Sequence, residues 1–317
     1  MFDRVLIPLD GSPLAECVLP YAVAFTKALN AQITLVHVLE QPSSSQGLPK
    51  ADPLDWYLKK TEANLYLDTL KVRLEEDGIF VQTLLLEGRT SEQIIELVNT
   101  NKVDLLILSG CGDTEGTSRS LSSTVMMILQ GVRTSILLVR TTQSVTTQVQ
   151  NLSYQRLLVP LDGSQRAGAV LTLVTALAQM HDTDIHLVHI VSKPEMARHM
   201  PLSQEDVELA NRFVERNQEE GSKYLEEVHA HLPAKTQTHL LVSDNIAATL
   251  QTLSEQERTD LLILSAHGYS GEARWPYGSI TNRFITNGTT SLLIVQDLPQ
   301  HLPEPIPKSV ETRQSVR

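Results

Sequence analysis

Arg4-Val-Leu-Ile-Pro-Leu-Asp-Gly-Ser12 returns as Arg156-Leu-Leu-Val-Pro-Leu-Asp-Gly-Ser164, displaced by 152 residues. Three further segments repeat in the same order. Leu35-Val-His-Val38 returns as Leu187-Val-His-Ile190 at the same displacement. Asp104-Leu-Leu-Ile-Leu-Ser109 returns as Asp260-Leu-Leu-Ile-Leu-Ser265, and Thr134-Ser-Ile-Leu-Leu-Val139 as Thr290-Ser-Leu-Leu-Ile-Val295, both now displaced by 156. Four matched segments with a single four-residue change of register mark two copies of one domain.

Within each copy, short runs rich in Val, Ile and Leu alternate with longer stretches of helical period. The first copy is expected to place strands at 4–9, 31–39, 79–86, 104–109 and 135–140, with helices at about 14–29, 53–77, 91–100 and 119–131. The second is expected to place strands at 156–161, 184–191, 236–242, 260–265 and 291–296, with helices at about 166–180, 203–230, 245–256 and 279–287. Runs as uniformly apolar as DLLILS suit a parallel sheet covered on both faces. Strand–helix alternation implies right-handed crossovers. The fold class is therefore α/β, two tandem copies of a doubly wound, five-stranded parallel-sheet domain of Rossmann-like type. The domains run over 1–140 and 154–297, joined by a linker at 141–153 that is rich in Thr, Gln, Val and Ser. A tail at 298–317 carries four prolines and reads as loosely ordered.

Composition removes several function classes. The 37 acidic residues exceed the 26 basic ones, for a net charge of −11. The halves share it, with −5 over 1–150 and −6 over 151–317. Sequence-independent nucleic-acid binding needs a basic face, and none is present in the sequence. No apolar run approaches the roughly 18 residues of a membrane span. The opening MFDRVLIPLDGS shows no basic-then-apolar leader, so a cytoplasmic protein is expected. Cys17 and Cys111 lie in unlike contexts and make no disulfide framework.

In an open parallel sheet, ligands bind beyond the carboxyl ends of the strands, where strand order reverses. In the second copy that region holds Pro160, Leu161 and Asp162 after the first strand, and Ile190 at the end of the second. After the fourth strand come Ser265-Ala-His267-Gly268, nine residues, then Gly278-Ser279-Ile280. Gly268 allows close backbone approach. Gly278-Ser279 opens the last helix, where unpaired N–H groups attract an anion. Spacing alone leaves two readings, a loop that wraps a polyphosphate or a surface loop closed by an ordinary Gly-Ser cap. His267 stands inside the loop as a candidate donor to phosphate or ribose. Trp275-Pro276-Tyr277 reads either as a lid or as packing against the neighbouring domain.

The first copy keeps Asp10 and Val38, but its loop reads Ser109-Gly-Cys-Gly112, nine residues, then Ser122-Ser123. Neither GxxxxGK[ST] nor GxSxG occurs. His37 and His189 alternate with apolar neighbours and read as core or rim residues. His229-x-His231 falls at a helix end, so no metal site is expected.

Both halves resemble the universal stress protein family, an adenine nucleotide α-hydrolase-like α/β fold, over nearly all of residues 1–297. Its ATP-binding members carry Gly-x2-Gly-x9-Gly-[Ser/Thr] after the fourth strand, an Asp after the first and an aliphatic residue after the second. The resemblance implies ATP as ligand, with Mg2+ carried by the nucleotide. It gives Asp162 the ribose side, Ile190 the adenine side, and Gly268, Gly278, Ser279 and Ile280 the phosphates. Ser265 replaces the first family glycine; Ser109 and Ser122 replace two in the first copy, where weak or absent ATP binding is expected. A side chain at 122 would crowd the phosphates. The loop Pro-Leu-Asp-Gly-Ser differs from the Ser-Gly-Gly-x-Asp-Ser loop of the ATP pyrophosphatases, which share the general fold. The resemblance further implies an intramolecular pseudo-dimer joined through strands 135–140 and 291–296, and leaves a homodimer of such chains open. A regulatory or protective module is expected rather than an enzyme. The alternatives are a scaffold that binds no nucleotide, and slow ATP hydrolysis or self-phosphorylation on a loop serine such as Ser279.

Overall fold

Each apolar run of the sequence becomes a strand, and the strands assemble into one sheet. A computed structural model describes residues 2–40, 52–110, 121–140, 152–194, 203–233, 235–268 and 276–296, except for the side chains of 165–169. The first copy contains β1 (Arg4–Pro8), α1 (Pro13–Glu16), α2 (Leu19–Leu29), β2 (Gln32–Leu39), α3 (Pro53–Glu75), β3 (Val81–Glu87), α4 (Thr90–Thr100), β4 (Leu105–Ser109), α5 (Ser123–Gly131) and β5 (Ser135–Val139). The second contains β6 (Arg156–Pro160), α6 (Gln165–His181), β7 (Asp184–Val191), α7 (Gln204–His229), β8 (Thr236–Val242), α8 (Ile246–Gln256), β9 (Leu261–Ser265), α9 (Ser279–Asn287) and β10 (Ser291–Val295).

Strand order is β3-β2-β1-β4-β5-β10-β9-β6-β7-β8. All neighbouring strands run parallel except β5 and β10, which pair antiparallel through Leu292 with Leu138, Leu293 with Leu137 and Ile294 with Ile136. The two copies thus form one ten-stranded sheet. Alternation along each strand sends side chains to opposite faces. Val5, Ile7, Leu137 and Leu293 enter one apolar layer with α2, α6 and parts of α3 and α7. Leu6, Ile136, Leu138 and Leu292 enter the other, with α4, α5, α8 and α9. Both layers cross the seam between the copies.

Duplication extends to backbone detail. Left-handed residues recur in pairs, namely Gly11 and Gly163, Asn30 and Asp182, Lys102 and Arg258. Asp104 Oδ2 accepts from the Asp3 and Arg4 N–H groups, and Asp260 Oδ2 accepts from those of Gln155 and Arg156. Across the seam, the Arg140 N–H donates to Ser291 Oγ, and the Gln296 N–H to Ser135 Oγ. Tyr154 is fully buried and meets Phe25 of the first copy edge-on at 5.6 Å.

One expected helix is broken. The stretch 14–29 divides into α1 and α2, with Pro20 in the first turn of α2. Proline has no N–H to give and its ring clashes with the carbonyl four residues back, so a continuous helix cannot pass through it. The second copy has Thr172 at the equivalent place, and α6 runs unbroken. Residues 141–151 of the linker and the tail at 298–317 lie outside the described residues. Among the described residues, no helix is long and apolar enough to cross a membrane.

Candidate functional site

At the carboxyl end of β6 the chain turns through Leu161, Asp162 and Gly163, the last at φ +79°. Pro160 closes β6 and is half-buried, whereas Leu161 is buried. The Asp162 carboxylate accepts the Ser164 N–H at 3.0 Å, which fixes it at the rim of the sheet. His189 Nδ1 donates to the Leu161 carbonyl at 2.8 Å. Tyr224 of α7 lies against the His189 ring at 6.1 Å. Burial, followed by the nearby Asp162 charge, pushes the Tyr224 hydroxyl pKa up. Gly221 lets α7 come this close, because a Cβ there would stand 2.7 Å from His189 Cδ2.

The end of β9 supplies the opposite wall. Gly268 lies so near Asp162 that a Cβ on it would stand 2.6 Å from Asp162 Oδ2. Close approach, rather than a positive φ, is what glycine provides here. The structure therefore brings together Asp162 and Gly268. Ile190, at the end of β7, is half-buried and packs on the second apolar layer.

Ser265 does not occupy left-handed space, so the backbone at this position does not require glycine. Its hydroxyl donates to the His267 carbonyl at 2.7 Å, and its own carbonyl accepts from Thr281 Oγ1. The hydroxyl thus closes its own loop. His267 is only 2% exposed, so its side chain forms part of the wall. Thr281, which sequence reasoning passed over, ties β9 to the first turn of α9. A hydroxyl three residues after a glycine helix start was the available signal.

Gly278 precedes α9 at φ −66°, ψ 169°, and among the described residues no side chain caps the helix. Its N–H donates to the Ala266 carbonyl at 2.7 Å, which draws the helix start toward Gly268. A Cβ at 278 would face Ala266 O, His267 Cα and Gly268 N at 3.5–4.0 Å, an ordinary contact. Ser279 is exposed and Ile280 half-buried at the opening turn. Such a terminus presents N–H groups and the positive end of a helix dipole. Tyr277 is buried, and its hydroxyl donates to the Leu129 carbonyl of the first copy at 3.1 Å. Of the two readings of Tyr277, packing against the neighbouring domain is therefore the observed one. Trp275 lies outside the described residues.

The first copy repeats part of this arrangement. Asp10 accepts the Ser12 N–H at 2.8 Å, and His37 Nδ1 donates to the Leu9 carbonyl at 2.8 Å. Its helix start differs. Ser122 holds φ −63°, ψ 154°, and its hydroxyl accepts the Val125 N–H at 3.2 Å, capping α5. Cys111 and Gly112 lie outside the described residues.

A family model, the Universal stress protein family, matches residues 1–140 and 153–296. The chain is 25% identical over 142 residues to the universal stress protein MJ0531 of Methanocaldococcus jannaschii, an alignment covering 44% of this chain and 83% of that one. A second protein of that organism, universal stress protein MJ0577, is 24% identical over 155 residues, covering 44% of this chain and 96% of the other. Among solved structures, a universal stress protein from Archaeoglobus fulgidus superposes with a TM-score of 0.63 at 16% identity, over 93% of this chain and 99% of that one. The functionally unknown PA1789 of Pseudomonas aeruginosa superposes with a TM-score of 0.67 at 12% identity, over 93% and 92%. At these identities the structural likenesses bear on the fold alone.

Proposed function

We propose, from the premise that the chain belongs to the universal stress protein family, that it is a regulatory or protective module whose second copy binds ATP. The observation that carries this reading is the helix start at Gly278, left without a side-chain cap beside Gly268 and Asp162. A phosphate chain takes the N–H groups of α9 around Ser279 and Ile280, as anions do at helix termini. Gly268 admits the nucleotide close to the backbone, Asp162 accepts from the ribose hydroxyls, and Ile190 offers an apolar surface to the adenine. Mg2+ travels with the nucleotide and offsets the triphosphate charge against an acidic protein. In the first copy Ser122 spends its hydroxyl on the Val125 N–H of the equivalent helix start, so that copy serves as structural partner. The module acts by binding rather than by dedicated catalysis.

A second reading, a scaffold without nucleotide, draws on the Ser265 hydroxyl, which is turned into its own loop. Calorimetric titration of the full chain with ATP and Mg2+ decides between them. Saturable binding at one site per chain, abolished by Gly278→Asp, is expected. Absence of binding in the unsubstituted chain leaves the scaffold reading. Label transfer from ATP to protein over hours would instead favour self-phosphorylation.

A further inference from the structure

Away from Asp162, where His186 near the start of β7 meets His239 in the middle of β8, three side chains with metal-binding chemistry converge. His186 of β7, His239 of β8 and Glu257, just beyond α8, place their ligand atoms within 4.8 Å of one another. His186 Nδ1 and His239 Nε2 are 3.0 Å apart, and Glu257 Oε2 is 3.8 Å from His186 Nδ1. A tetrahedral ion with metal–nitrogen bonds of 2.0–2.1 Å holds its ligand atoms about 3.3 Å apart, between these two values. His186 and Glu257 line a cavity of about 380 Å3 that Asp184, Gln237 and Gln256 also line, leaving room for further ligands.

We propose that His186, His239 and Glu257 form a binding site for a divalent first-row transition metal of the zinc class. Two imidazoles and a carboxylate are the donor set such ions accept. The rings are 16° from coplanar with centroids 5.2 Å apart, so the two nitrogens face each other edge to edge. In the metal-free chain they share one N–H···N hydrogen bond. Binding replaces that hydrogen by the ion. One ring changes tautomer, both rings turn toward Glu257, and no net proton is released from the pair. His186 is 2% exposed, so its ring is held in place by the packing around it.

The charges around the cluster are divided. Asp184 favours a cation, whereas Arg156 and Arg258 line the same cavity. Arg156 donates to the Glu257 carbonyl at 3.2 Å, as Arg4 donates to that of Asn101 in the first copy. Its role is therefore shared by both copies and independent of the two histidines. The ligands are not shared. The equivalent positions in the first copy are Thr34, Leu84 and Asn101, as the strand registers show. The framework folds around these residues without the histidines, so the trio in the second copy is an addition to the fold and not a requirement of it.

The test uses the full chain, free of purification tag and stripped with chelator, titrated with Zn2+ and with Co2+. One saturating ion per chain is expected, with a raised melting temperature and visible Co2+ absorption bands of imidazole and carboxylate ligation. His186→Thr and His239→Leu install the first copy's residues; each is expected to weaken binding at least about 100-fold, a ligand mattering more than its outer-shell supports. His239→Gln serves as the second variant, keeping a polar side chain in the cavity. No saturable Zn2+ binding by the unsubstituted chain, or binding undiminished in these variants, overturns the proposal.

Discussion

Two helix starts, equivalent by the internal repeat, have become chemical opposites. At α5, Ser122 turns its hydroxyl onto the Val125 N–H and completes the helix by itself. At α9, Gly278 holds nearly the same backbone angles and leaves the terminus without a side-chain cap. The backbone does not demand glycine here, since 278 lies outside left-handed space. What separates the halves is therefore what each helix end offers to something outside itself. A capped terminus adds stability, whereas an uncapped one keeps its donors for a ligand.

Four substitutions set the halves against each other, beginning with the largest effect. Thr172→Pro puts the first copy's proline into the continuous helix α6. A cost of about 3 kcal/mol is expected from the missing hydrogen bond and ring clash, measured by urea unfolding. A negligible cost would mean that α6 tolerates the break seen between α1 and α2. Arg140→Ala comes next. The Arg140 guanidinium crosses the seam to the Gly288 and Ile285 carbonyls at the end of α9, while its counterpart Gln296 carries only an amide. Loss of these charge-assisted bonds costs about 1.5–3 kcal/mol, and Gln296→Ala, losing at most neutral ones, about 0.5–1.5 kcal/mol. Equal losses on thermal unfolding would remove that asymmetry.

The smallest stability effect bears most directly on function. Gly278→Ser gives α9 the cap of α5 and is expected to stabilise by a few tenths of a kcal/mol, since glycine is only slightly poorer than serine as a cap. The same change weakens Mg·ATP affinity about tenfold, the equivalent of one lost hydrogen bond of about 1.4 kcal/mol. Stability and binding should thus move in opposite directions, as read by thermal melts and calorimetry on one preparation. Tighter binding in Gly278→Ser would break the comparison.

The fold was legible because buried parallel strands are apolar on both faces, and segments such as Asp104–Ser109 and Asp260–Ser265 declare them directly. Repetition then supplied the order of elements. The interruption at Cys17 and Val18 was legible too, in Pro20, but the apolar period across 14–29 masked it. Of the candidate residues, the positions were legible in part: Asp162 and Gly268 stand just beyond strand ends and Gly278 at a helix start. The contact between Asp162 and Gly268 was not, because it depends on how β6 and β9 meet in the sheet. Ser265 could be noted as a departure, but only its hydrogen bond to the His267 carbonyl tells what became of the hydroxyl. His186, His239 and Glu257 follow no motif spacing. Register between β7 and β8 brings the histidines together, and the end of α8 brings the carboxylate.

The antiparallel seam between β5 and β10 gives the molecule a polarity that neither half has alone. Strands of the first copy point toward one margin of the plate, and those of the second point toward the other. The margin where the first copy's strands terminate is thus also where the second copy's strands begin, with His186 close to it. Both margins are chemically furnished, one by the helix start at Gly278 and one by imidazoles and carboxylates. An occupant of either lies beyond direct reach of the other, and any influence between them has to pass along the strands through shared apolar layers.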